Sequence, residues 1–189
     1  MNYALSTLDL THLFNGGLVW QLPVGKGRAL LNRGGVLDAI LGGWQLSNVW
    51  QLHTGTPFTP TIGTPNLSSA LSGTWLPNRL GTGTVANPTI EKWFDTSAFV
   101  TPPQFTFGNS GRNILRGPNY ANLDLSLSKN FTLSSLREGM WFQLRLDSSN
   151  VLNHTNFGQP NSGLGAQGAG GIFSALASRT VQLGGRLTF

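Results

Sequence analysis

The chain has 189 residues, and only 10% of them are charged, against roughly 25% in an ordinary soluble domain, so a self-contained soluble fold would be short of charged surface. Twelve Lys and Arg against seven Asp and Glu leave a net charge of +5, but the cations, among them Lys26, Arg28, Arg33, Arg79, Arg112, Arg116, Arg137 and Arg179, are scattered singly. No basic run or stripe tracks a phosphate backbone, and nucleic acid is not a predicted partner.

The first predicted element is a strand over Phe14 to Leu22, in which Phe14, Gly16, Leu18, Trp20 and Leu22 alternate with Asn15, Gly17, Val19 and Gln21. A connection from Pro23 to Gly42 follows. Val36 to Leu41 can form a short amphipathic helix there, limited by Gly34-Gly35. The second strand, Gly43 to Thr54, sets Trp44, Leu46, Trp50 and Leu52 against Gln45, Ser47, Gln51 and His53, with Asn48 as the exception. A long stretch rich in Gly, Pro, Thr and Asn runs from Gly55 to Asn119.

The third strand spans Asn122 to Phe131. Leu123, Leu125, Leu127 and Phe131 oppose Asn122, Asp124, Ser126, Ser128 and Asn130, and Lys129 alone interrupts the apolar row. After a short connection, Thr132 to Gly139, the fourth strand from Met140 to Asp147 puts Met140, Phe142, Leu144 and Leu146 opposite Trp141, Gln143, Arg145 and Asp147. A second long segment, Asn150 to Arg179, leads to the last strand. There Val181, Leu183, Gly185, Leu187 and Phe189 alternate with Thr180, Gln182, Gly184, Arg186 and Thr188.

Period-two segments of this kind also occur in soluble sandwiches and barrels, where the polar face meets water and carries Lys and Glu. Here the polar faces carry mostly Gln, Ser, Asn and Thr. Low charge, Trp20, Trp44 and Trp141 near strand ends where an aromatic girdle would sit, and a terminal Phe favour membrane-crossing strands. No apolar run approaches the roughly 20 residues of a membrane-spanning helix. The connections alternate between short and long, as in outer-membrane barrels with short periplasmic turns and long extracellular loops. With the C-terminus in the periplasm, both long segments are extracellular, and Pro23 to Gly42 is an unusually long periplasmic connection. The absence of cysteine removes disulfide and thiolate-metal chemistry. Met1 to Leu5 is not a signal peptide, and since an exported barrel needs one, the N-terminal part of the protein is expected to lie outside this sequence.

Local signatures span nearly the whole chain: Leu8-Asp9-Leu10-Thr11-His12, Leu22-Pro23-Val24-Gly25-Lys26-Gly27, Leu41-Gly42-Gly43-Trp44-Gln45-Leu46 and Gly55-Thr56-Pro57-Phe58. They continue through Trp93-Phe94-Asp95-Thr96-Ser97-Ala98-Phe99, Phe107-Gly108-Asn109, Asn113-Ile114-Leu115-Arg116-Gly117-Pro118, Asn122 to Leu127 and Asn150 to Gly158. In order and spacing they resemble the C-terminal barrel region of the Oar-like TonB-dependent transporters. The resemblance implies an all-β fold in which residues 1–189 supply about five antiparallel strands of a plugged barrel of roughly 22 strands. It also implies ligand uptake driven through TonB, which would be contacted by an N-terminal region absent from this sequence. Outer-membrane lipid, the barrel assembly machinery and an unidentified ligand are the other expected partners.

No catalytic constellation, metal site or cofactor is predicted. His12, His53 and His154 lack zinc-helix spacing. Ser126 and Lys129 fit a Ser-x-x-Lys pattern, but on a strand they point to opposite faces. The glycines of Gly163 to Gly168 match a dinucleotide-like spacing without a strand-to-helix unit around them. The predicted lumen-facing residues are Gln45, Gln51, His53, Asp124, Gln143, Arg145, Asp147, Gln182 and Arg186, and for Asp124, Arg145, Asp147 and Arg186 an internal charge-neutralising network is the leading role, ahead of ligand contact. Phe58, Trp75, Trp93, Phe94, Phe99, Phe105 and Phe107 would stack on a ligand or pack the loops together. Phe189 is the expected assembly signal. The competing readings are a passive porin and a soluble extracellular β-sandwich that binds carbohydrate.

Overall fold

A computed structural model describes residues 3–32, 34–63, 74–133, 135 and 137–189; Arg33, named above among the cations, lies outside the described residues, as do Ser134 and Leu136 of the connection from Thr132 to Gly139 and part of the first long segment. The chain divides into two compact units. The first comprises Phe14–Leu52, Ala121–His154 and Ser178–Phe189, and its substance is one sheet. The strands are β1 (Leu13–Gln21), β2 (Trp44–His53), β3 (Tyr120–Thr132), β4 (Trp141–Ser149) and β5 (Thr180–Thr188), hydrogen-bonded in chain order. Each lies within two residues of its predicted bounds, because alternation of apolar and polar side chains is the strongest local signal a half-buried strand carries.

Register decides what the sheet presents. Between β3 and β4 the antiparallel pairs run from Leu125 opposite Ser148 to Thr132 opposite Trp141. Between β4 and β5 they run from Ser149 opposite Thr180 to Trp141 opposite Thr188. Rows therefore form across the strands: Ser126, Asp147 and Gln182 on one face, and Leu127, Leu146 and Leu183 on the other. Phe131 and Phe142 pair on the apolar face with ring centroids 6.2 Å apart, a cross-strand contact that favours this register. Antiparallel pairing of β1 with β2 is bracketed by Leu22 N–H donating to Trp44 O (2.9 Å) and Thr54 N–H donating to His12 O (3.0 Å).

Lys129, in the apolar row of β3, is only 4% exposed. Its Nζ donates to the carbonyls of Gly42 (2.5 Å) and Asp38 (3.3 Å) and lies over the rings of Phe131 and Trp44, so its charge is met by carbonyl dipoles and ring faces. Trp141 requires a correction. It sits at the same end of the sheet as Trp20 and Trp44, but its register with Thr132 and Thr188 puts it on the polar face, where the Arg186 guanidinium lies 5.9 Å from its ring centroid. It therefore does not join an outward aromatic girdle.

The predicted helix forms as α1 (Val36–Leu41) in the connection between β1 and β2, entered through Gly35 at φ +103°. Among the described residues of this unit no second sheet covers either face, and Leu18, Val181 and Leu183 are exposed. A β-sandwich would bury one of these faces.

The second unit comprises Met1–Leu13, His53–Tyr120 and Thr155–Ala177. The two long segments, read from sequence as loops, contribute short pairings here: Pro57–Phe58 with Leu115–Arg116, Asn78–Arg79 with Phe99–Val100, and Thr61–Ile62 in parallel with Gly163–Leu164. Phe58, Phe94, Ala98, Phe99 and Leu115 form its core, with Trp93, Ile114 and Leu164 packed against them. Phe94 is central, edge-on to Phe58 (5.5 Å) and Phe99 (6.2 Å). Phe94→Ala is expected to destabilise this unit by about 3–5 kcal/mol. Hydrogen exchange should then accelerate at the amides of Leu80 and Gly117, which donate to Ala98 and Thr56, with exchange in β3 and β4 unchanged. Unaltered protection at Leu80 and Gly117 would contradict this packing.

Candidate functional site

The polar face of the sheet gathers most of the predicted site residues. A recess of about 390 Å³ is lined by Ser47, Asp124, Ser126, Arg145, Asp147 and Gln182, among others. Arg145 Nε donates to Asp147 Oδ1 at 2.8 Å, two residues along the same strand and therefore on the same face. Asp124 Oδ1 accepts from the Asn150 backbone (3.0 Å) and from Asn122 Nδ2 (2.9 Å). Each carboxylate thus has its own donors.

Toward the other end of the strands, a smaller recess of about 170 Å³ is lined by Gln21, Arg28, Gln45, Ser128, Asn130 and Gln143, among others. Gln143 donates to Asn130 Oδ1 (3.0 Å), and Arg28 donates to Gln21 Oε1 (2.9 Å). Arg186 is held over Trp141 rather than against a carboxylate. Gln51 is exposed on β2. Ser126, Ser128 and Asn130 share the parity of Asp124, a signal already present in the sequence. Arg28 comes from an irregular segment and had none.

His53 stacks on Tyr120 with ring centroids 4.8 Å apart, and its Nδ1 is 2.9 Å from Thr54 O. His154 accepts at its carbonyl from Asn150 Nδ2, and its N–H donates to Asn150 Oδ1. These are structural contacts. Ser126 and Lys129 lie on opposite faces of β3, as strand geometry requires. The glycine-rich run near Gly163 forms turns, with φ of +79° at Gly165 and +73° at Gly168. Phe189 is exposed just beyond β5, whose last residue is Thr188.

In the second unit the local signatures are one another's contacts. Arg116 pairs with Asp9 (Nη2 to Oδ2, 2.5 Å) and donates to Gly55 O (3.1 Å). Trp93 Nε1 donates to Arg116 O (2.9 Å). A side chain on Gly55 would strike the backbone of Gly117 and Pro118, so the two segments cross where only glycine fits. Asn113, at φ +57°, donates to Leu5 O and is bonded on both sides to Thr59. Asp95 caps a 3₁₀ turn over Thr96–Ala98, accepting from Ser97 N and Ser97 Oγ, with Lys92 at 3.4 Å. The Ser97 hydrogen bonds, helped by Lys92, hold the Asp95 carboxyl below its ordinary range. The cap is therefore formed at neutral pH and weakens only as pH falls through that lowered value.

The loop aromatics separate into two groups. Phe58, Phe94 and Phe99 are buried in the core and Trp93 packs half-buried against it, whereas Phe105 (71% exposed) and Phe107 (81%) stand out from it. Trp75 is half-buried, its carbonyl accepting from Ile62 N–H.

The five strands have nine, ten, thirteen, nine and nine residues, close to the 9–11 or so that a tilted strand needs to cross a bilayer. An antiparallel meander of such strands, apolar on one face and hydrogen-bonding on the other, is the wall of an outer-membrane β-barrel. The family model described as outer membrane beta barrel domain matches residues 1–182, and the chain belongs to that family. Its location is the outer membrane. Comparison with curated proteins and with solved structures gave no match. No helix among the described residues is long and apolar enough to cross a membrane, and barrels of this class cross with strands.

The face assignment has a direct test in the full-length protein. Single cysteines at Gln45 and Gln143 should react with a membrane-impermeant maleimide in detergent-free membranes opened to both sides, and those at Leu46 and Leu144 should not. Equal labelling of the two sets would contradict it.

Proposed function

We propose that this chain is the C-terminal part of the barrel of an Oar-like TonB-dependent transporter, which imports a ligand too large or too scarce for diffusion through porins. The observation that carries the reading is the convergence in the second unit: Asp9 on Arg116, Gly55 beneath Gly117, Pro57–Phe58 along Leu115–Arg116, and Trp93 on Arg116. The segments that resemble the transporters are thus a set of interlocking parts, so their order and spacing follow from one packing arrangement.

In this reading the polar face lines the lumen. Gln45, Gln51, His53, Gln143, Gln182 and Arg186 offer hydrogen-bonding groups to water, plug or ligand, while the Arg145–Asp147 pair neutralises charge inside the barrel. The C-terminus is periplasmic and the long segments are extracellular, presenting Phe105 and Phe107 outward. Phe189 ends an amphipathic strand that the assembly machinery reads. TonB engages a region outside this sequence, and the function is transport without covalent chemistry.

Planar-bilayer conductance of the full-length protein separates a plugged transporter from an open pore without knowledge of the ligand. A transporter should be closed in buffer and open reversibly when urea loosens the plug. A steady open conductance in buffer would replace this reading with that of a passive porin.

A further inference from the structure

The connection between β1 and β2 is built inside out for a segment in water. On α1, Val36, Leu37, Ile40 and Leu41 occupy one side of the helix and are 75%, 60%, 58% and 45% exposed. Leu30 and Leu31, just before it, are exposed too. Asp38, the helix's sole charged residue, points the other way, its Oδ1 accepting from Lys26 N–H at 2.7 Å. A side chain on Gly25 or Gly42 would collide with that carboxylate, so the two glycines form the niche into which Asp38 is folded.

Two donors, making three hydrogen bonds, fix this orientation. Lys129, from the apolar row of β3, donates to the carbonyls of Gly42 and Asp38, and Trp44 Nε1 donates to Ile40 O at 2.9 Å. Both reach α1 from the apolar side of the sheet, since Lys129 shares the face of Leu127 and Phe131, and Trp44 that of Leu46. The aliphatic side of α1 thus continues the apolar face of the sheet beyond its rim, next to Trp20 and Trp44. Lys26 is exposed nearby, and the segment's one carboxylate is already engaged.

We propose that this connection is an interfacial element: α1 lies in the plane of the membrane with Val36, Leu37, Ile40 and Leu41 among phospholipid acyl chains, and Lys26 meets headgroup phosphates. An apolar helix side with a lysine at its border suits the boundary between headgroups and chains, and a lysine stem reaches from such a depth to the phosphate level. Lys129 is then a positioning residue that holds α1 against the barrel wall. The inference rests on the apolar face being the lipid face, and its test carries a control for that reading.

Nitroxide labels at Leu37 and Ile40 of the full-length protein, reconstituted in vesicles of phosphatidylethanolamine and phosphatidylglycerol, report their surroundings through relaxation by oxygen and by a neutral nickel chelate. Labels at Leu46 and Leu144 serve as controls. The proposal expects Leu37 and Ile40 to be accessible to oxygen and protected from nickel, at a shallower depth than the controls. Nickel-accessible labels at Leu37 and Ile40 with lipid-exposed controls would overturn the interfacial role alone. Labels immobilised and reached by neither relaxant would show that protein covers α1, which also overturns it. Nickel-accessible controls would overturn the lipid-face reading and this inference with it.

Discussion

Antiparallel register across β3, β4 and β5 is the constraint on which the other features depend. Side chains alternate with a period of two along a strand, so a slip of one residue between neighbours would carry Asp147, Arg145 and Gln143 to the face that now holds Leu146, Leu144 and Phe142. In a bilayer that slip would bring charge into hydrocarbon, at about 2–4 kcal/mol for an arginine at the midplane. The cost fixes the register, and the register makes one face a continuous hydrogen-bonding surface and the other a continuous apolar one.

Lys129 shows how the chain accommodates the residue that breaks this rule. A lysine in the apolar row is tolerated because the connection between β1 and β2 brings two carbonyls to its ammonium group, with Trp44 and Phe131 beside it. The same contacts pin α1 at the rim. A sequence irregularity and an unusually long connection thus have one explanation.

The strands and α1 were legible because each carries its own periodicity. Val36–Leu41 forms the predicted helix, and the five strands differ from their predicted bounds only at the ends. The second unit was not legible as a folded body. Its pairings are two residues long, too short for alternation to register, and its ties, such as Asp9 to Arg116 and Thr59 to Asn113, join residues distant in sequence. The aromatics that sequence alone left between ligand stacking and loop packing divide only when the core is known. Trp141 was misplaced for another reason: nearness to a strand end suggested a girdle, although its parity with Gln143 and Arg145 already set it on the polar face. The polar-face residues were found by parity, but which neighbours they contact depends on cross-strand pairing that one strand does not encode.

The central claim is that the five strands are a barrel wall with the apolar face against lipid, and Trp50 offers the most direct measurement of it. It lies in the apolar row of β2 and is exposed on that face. In the full-length protein with its other tryptophans replaced by phenylalanine, Trp50 fluorescence in phospholipid vesicles should be quenched strongly by brominated acyl chains and little by aqueous iodide. Quenching by iodide with no effect of the brominated chains would place Trp50 in water and contradict the account.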